Sequence, residues 1–224
     1  SGAESGTDLD LFQLGNGFLW DVSQFNTTGN LLVVEANSRQ FYWRGDVDAN
    51  WNTAGNTNWH DAETGGSDPG SLPAFTDDVY FNADSATNLS TSLGANFSIR
   101  SLNFGEGNNT SSSVGIDAGA FTLTLWNGIN QVSGSAANTI SASGVGGVVL
   151  GADQTWSNAS TNKLTVSAPV SGAYSLTKAG AGTIALTSST SSYSGATTVN
   201  AGTLEVSKLS NGGVASSIGD SSSA

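Results

Sequence analysis

The stretch Leu176-Thr-Lys-Ala-Gly180-Ala-Gly182-Thr183-Ile184-Ala-Leu186 is answered, twenty residues past Gly182, by Gly202-Thr203-Leu204-Glu-Val206. A Gly-Thr-apolar-x-apolar unit returning at that interval is what a β-solenoid requires, because each coil lays one strand in the same register and turns its corner at glycine. A single coil cannot bury its apolar face and has to stack on a neighbour. Reading upstream from Leu204/Val206, apolar-x-apolar pairs recur at Ile184/Leu186, Leu164/Val166, Leu123/Leu125 and Leu102/Phe104, at intervals of 20, 20, 41 and 21. The double step leaves room for a coil near Ile140 to Val145, so six coils of about twenty residues are expected. Period-two alternation turns Leu123, Leu125, Leu164, Val166, Ile184, Leu186, Leu204 and Val206 inward along one core and Thr or Ser outward. A β-sandwich with evenly recurring strands is the competing architecture.

Composition agrees with stacked coils. The 224 residues include 29 glycines, 3 prolines, no cysteine and no methionine, and only 11% are charged. No segment carries apolar residues at helical spacing over three turns. Six basic residues against eighteen acidic ones give a net charge of −12, a field that repels phosphate backbones, so nucleic acid is not an expected partner. The absence of cysteine excludes disulfides and thiolate-bound metals. No apolar run reaches membrane-spanning length and Ser1 opens no signal peptide, so a processed product or a fragment is expected.

Three regions separate along the chain. Residues 1–38 form a lead segment in which Leu9, Leu11 and Leu14, then Phe18, Trp20 and Phe25, then Leu31 and Val33, mark apolar strand-like runs. Residues 39–95 are a Trp/Asp-rich β module holding Trp43, Trp51 and Trp59 and eight of the eighteen acids. Residues 96–224 hold the coils and a low-complexity tail.

Leu176 to Val206, with Lys178-x-Gly180-x-Gly182-Thr183, Tyr193-Ser-Gly195-Ala-Thr-Thr-Val199 and Ala201-Gly202-Thr-Leu204, resembles the autotransporter-associated β-strand repeat of bacterial surface proteins. Trp43, Trp51-Asn-Thr, Asn58-Trp59, Pro73, Asp77-Asp78 and Phe81 are similar to the module that introduces such repeats, and Leu150-Gly-Ala-Asp-Gln-Thr-Trp156 recurs in the same setting. The resemblance implies an all-β, right-handed parallel β-helix at the surface of a Gram-negative-type bacterium. Phe18 to Leu31 is similar to the strand pair that closes such proteins at their far end, yet here it stands first. No strands of a translocator barrel are recognisable, so membrane insertion is not expected.

The candidates for chemistry are few. Asp46-x-Asp48-x-Asn50 has the opening spacing of a calcium loop, but Trp51 stands where that loop wants glycine and Thr57 where it wants glutamate. The alternative is an Asx-rich turn that caps its own backbone. His60 is the only histidine, too little for a triad or a zinc site. Asp77 and Asp78 are adjacent, so on a strand they point to opposite faces and cannot flank one glycosidic bond unaided. Trp43, Trp51 and Trp59, if exposed, could stack on sugar rings. Arg44-Gly45-Asp46 matches an integrin-type tripeptide only by pattern.

The expectation is therefore a non-enzymatic extracellular structural protein without a cofactor, calcium excepted. It would polymerise with itself head to tail, the lead segment adding strands to the open coil of the next subunit. The competing reading is a monomeric carbohydrate-binding or adhesive module whose partner is a surface polysaccharide.

Overall fold

The computed structural model describes residues 18–21, 32–35, 38–53, 57–82, 85–105 and 112–220. Every regular element among them is a strand. Strands β1 (Phe18–Asp21) and β2 (Leu32–Glu35) form an antiparallel pair with Trp20 opposite Val33. Leu9, Leu11, Leu14, Phe25 and Leu31 lie outside the described residues.

Strand β3 (Gln40–Trp43) begins a long sheet, with β4 (Trp59–His60) antiparallel on its outer edge and β5 (Asp78–Phe81) parallel on its inner one. From β5 the chain winds. It passes through β6 (Ser90–Ser92), β7 (Phe97–Phe104), β8 (Gly115–Asp117), β9 (Thr122–Gln131), β10 (Asn138–Ser141), β11 (Gly147–Leu150) and β12 (Gln154–Asn158). It continues through β13 (Leu164–Val166), β14 (Val170–Ser171), β15 (Leu176–Ala179), β16 (Thr183–Leu186), β17 (Thr197–Val199) and β18 (Thr203–Val206). All ladders from β5 onward are parallel, and the result is a β-solenoid of about five turns with three faces.

The first face stacks Phe97, Leu123, Val148 and Val170. The second runs Phe41, Val79, Leu102, Ile129, Trp156, Lys178 and Val199. The third runs Thr91, Ile116, Ile140, Val166, Leu186 and Val206, at intervals of 25, 24, 26, 20 and 20 residues. This corrects the expectation of six equal coils. Leu102/Phe104 belongs to the second face, Leu123/Leu125 to the first and the three downstream pairs to the third, so the intervals of 21 and 41 joined different faces. Only the two intervals of twenty are true coil lengths. Leu123, Leu125, Leu164, Val166, Ile184 and Leu186 are buried as expected, whereas Leu204 and Val206 in the last coil are half-buried.

At the second face, one inward position carries a charge. Lys178 is 1% exposed and sits where the ladder elsewhere holds apolar side chains. Its Nζ donates to the carbonyl oxygens of Ala179, Gly180 and Ala201 at 2.6, 2.7 and 2.9 Å, so all three ammonium protons have acceptors. Burial pushes its pKa down from 10.5, and the carbonyls oppose that by favouring the charged form. The Ala201 bond crosses to the next coil.

Polar turns fasten the corners of the third face. The Ser143 hydroxyl, with the Gly119 and Ser143 amides at 2.9 and 2.8 Å, holds the Asp117 carboxyl below its ordinary 3.8. A carboxylate lowered on folding contributes stability above its ordinary value, and that stability is lost as pH falls through the lowered one. Denaturation midpoints measured between about pH 5 and about pH 2 should therefore drop less steeply for Asp117→Asn than for the parent chain.

Candidate functional site

The acidic module is built around three indoles. β3 turns Phe41 and Trp43 inward, the loop after it delivers Trp51, and β4 delivers Trp59. Trp59 meets Trp43 edge-on at 4.9 Å and Trp51 at 5.1 Å, and Trp51 meets Phe97 at 5.4 Å. Their N–H groups are satisfied internally: Trp43 donates to the Thr87 carbonyl, Trp51 to the Thr91 hydroxyl and Trp59 to the Trp51 carbonyl. All three side chains are fully buried, which corrects their assignment as sugar-stacking platforms. They close the first end of the solenoid core, where large rings with internally bonded N–H groups fill an end on which no further coil lies among the described residues.

The Asp46, Asp48 and Asn50 loop is an Asx-type turn. Asp48 Oδ1 accepts from the Asn50 amide and the Asn58 side-chain amide, and both its oxygens accept from the Thr53 hydroxyl. These bonds hold its carboxyl below the ordinary range. Asn50 Oδ1 takes the Asn52 amide, and Asp46 turns to His60, whose Nε2 lies 2.9 Å from its Oδ2. The Asp48 and Asn50 side-chain oxygens thus accept from donors of the protein itself, the pattern of an Asx-rich turn that caps its own backbone. Among the described residues, no three His, Asp or Glu side chains gather as a metal site. Gly45 is buried inside this turn, its amide bonded to the Asn58 carbonyl, so the Arg44-Gly45-Asp46 tripeptide is not displayed as an exposed loop tip.

Asp77 and Asp78 diverge, as adjacent strand residues must. Asp77 is fully buried and takes Arg39 through Nε at 3.4 Å and Nη2 at 3.1 Å, together with the Ala74 amide. Asp78 takes Nε and Nη2 of Arg100 and the hydroxyls of Ser38 and Ser101. The Asp78 carboxylate raises the Arg100 pKa above its already high value. Each acid is an anchor for one arginine, and neither faces the other across a cleft.

Two surface clefts meet at Arg100. One, of about 440 Å³, is lined by Arg39, Asp61, Pro69, Asp78, Tyr80 and Arg100 among others. The second, of about 320 Å³, is lined by Arg100, Trp126, Asn127 and Asp153. Beside the first, Tyr42 and Tyr80 stack with centroids 5.0 Å apart. None of Tyr42, Tyr80, Trp126 or Asp153 was singled out from the sequence. The available signal was parity, since Tyr42 alternates with the inward Phe41 and Trp43.

Residues 176–206 match the family model of the passenger-associated transport repeat. The chain carries an autotransporter-associated repeat. The repeat spans β15 to β18, so its Lys-x-Gly-x-Gly motif is the segment in which Lys178 is tied to Gly180 and Ala201. The chain is also similar to the adhesin BmaC autotransporter of Brucella suis biovar 1 (strain 1330), at 46% identity over 78 residues. That match covers 34% of this chain and 2% of the adhesin, so the chain spans a small fraction of that relative's length. No solved structure matches the chain.

Proposed function

We propose that this chain is a non-enzymatic, adhesive and structural passenger module at the surface of a Gram-negative bacterium, and that it lengthens by strand addition at its last coil. The carrying observation is the state of that coil. β17 and β18 end their sheets, with no strand on their far side among the described residues. The chain after β18 returns mainly over the first face, where the Ser216 and Asp220 amides donate to the Ser191 and Tyr193 carbonyls, and it touches β17 only at its start, where the Thr197 hydroxyl donates to the Ile218 carbonyl. Val199 remains 49% exposed and Leu209 66%. The repeat and the adhesin relative support the surface setting, and the acids locked to arginines support the absence of catalysis.

An edge of this kind is a template for another strand. The strand partner is a second copy of the chain, head to tail, with the lead segment of one subunit supplying the added strands; a contact that does not close on itself propagates as a filament. In a parallel ladder, successive amides point to alternate neighbours. The Asn200 amide donates inward to Lys178, so the Val199 amide points to the open edge. Val199→Pro and Val199→Lys should both suppress assembly of the 224-residue chain while leaving its thermal unfolding nearly unchanged, as read by light scattering and electron microscopy. Filaments that persist in both variants, or a parent chain that stays monomeric at high concentration, would overturn the proposal.

A further inference from the structure

We propose that the solenoid corner carrying Arg100, Trp126, Asn127, Asp153 and Tyr174 is a binding ridge for a neutral, linear polysaccharide. The inference uses a different surface from the strand edge and does not depend on assembly.

The ridge begins with a break in register. Ile99 pairs with Leu125 and Ser101 with Gly128, so Trp126 and Asn127 together oppose the single residue Arg100. Such a bulge bends the strand and re-aims side chains, and bulges concentrate at functional sites. Gly128 permits it: φ is +109°, and any Cβ there would collide with the Thr155 carbonyl. Strict alternation after Leu125 would put Trp126 outward and residue 127 inward. The bulge lets Asn127 stay exposed on the same corner.

The indole is fixed in place. Trp126 Nε1 donates to the Ser98 hydroxyl at 2.9 Å, and the ring lies against the backbone of Gly151, where a Cβ would stand 2.8 Å from Cδ2 and 3.0 Å from Cε2. A half-buried aromatic plate held from two sides loses little freedom on binding, which favours affinity. Around it are planar polar groups. Arg100 is oriented by Asp78, and Asp153 is fixed by the Ser175 amide at 2.7 Å. One coil beyond Asp153 on the same corner is Tyr174, 41% exposed. Successive coils stack about 4.8 Å apart, so the two aromatic plates are about 10 Å apart along the axis.

An aromatic plate beside amide, carboxylate and guanidinium groups suits a sugar, whose ring offers C–H groups to the plate and hydroxyls to the polar groups. The spacing of the plates along the axis calls for an extended chain of sugars rather than one ring. The charge argues for a neutral chain: the Arg100 cation is already paired with Asp78, Asp153 is exposed, and the whole protein carries −12, so a polyanion is repelled.

Titration calorimetry with cellohexaose, chitohexaose, laminarihexaose, xylohexaose, mannohexaose and, as the anionic control, hexagalacturonate tests this on the full chain. At least one neutral oligosaccharide should bind; Trp126→Ala and Tyr174→Ala should each weaken it about tenfold or more, and Trp126→Phe should retain most of it. Circular dichroism and thermal unfolding of each variant establish that the fold persists. Absence of binding by every neutral oligosaccharide, preference for the anionic one, or affinity unchanged in a folded Trp126→Ala variant would each overturn the proposal. Assembly should be the same in all three variants.

Discussion

Trp59→Ala will lower the unfolding free energy by about 3–5 kcal/mol, the range for removing a large aromatic side chain from a packed core. Trp59 is the hub of the end cluster. It touches Trp43 and Trp51 edge-on and lies within aromatic range of Phe41 and Phe81. Its removal leaves a cavity among rings that are themselves fixed by N–H bonds to Thr87 and Thr91 and cannot collapse into it. In a stacked protein each coil contacts only its neighbours, so the damage should be local. Hydrogen exchange in the variant should accelerate in β3 to β5 well before β15 to β18. Uniform acceleration along the whole chain would show that the end cluster is coupled to every coil.

Lys178→Ala should cost about 2–5 kcal/mol, combining a core cavity with carbonyl oxygens left without donors. The three acceptors are backbone groups of Ala179, Gly180 and Ala201, so they cannot turn away to find new partners without distorting two corners. Lys178→Met fills the volume but offers no donor, and it should fall between the parent chain and Lys178→Ala in urea unfolding. A Met variant as stable as the parent would mean that packing alone, and not the hydrogen bonds, makes lysine useful here.

The fold was legible where period and face coincided. From Leu164 onward each coil has one apolar-x-apolar pair on the third face, at twenty-residue steps, and those pairs stack as read. Upstream, β7 and β9 run through a corner and serve two faces each, so one coil carries several apolar pairs and the spacing alone does not say which pairs stack. The site was read poorly for a related reason. Tryptophans in an acidic, Asn-rich stretch look like surface residues, but Thr87, Thr91 and the Trp51 carbonyl satisfy their N–H groups and let them sink into the core. Trp126 shows the reverse. Alternation after the inward Leu125 already turns it outward, but the bulge that keeps Asn127 beside it opposite Arg100 depends on pairing across 26 residues and leaves no mark in the local sequence. The divergence of Asp77 and Asp78 needed nothing beyond strand alternation, and the structure has it.

The two ends of the molecule differ in how they would yield to a pull. At one end, interlocked indoles and two arginine clamps, each on a buried carboxylate, resist shear; at the other, the last coil is held by backbone ladders, small side chains, the Ala201 contact of Lys178 and the solvent-exposed Lys163–Glu205 ion pair. Under tension the rod should therefore unravel in one direction, peeling from its last coil toward its first. The Lys178 amine, sealed until its coil opens, would then become reactive to an acylating reagent, so that labelling of this one lysine records how far the unwinding has run.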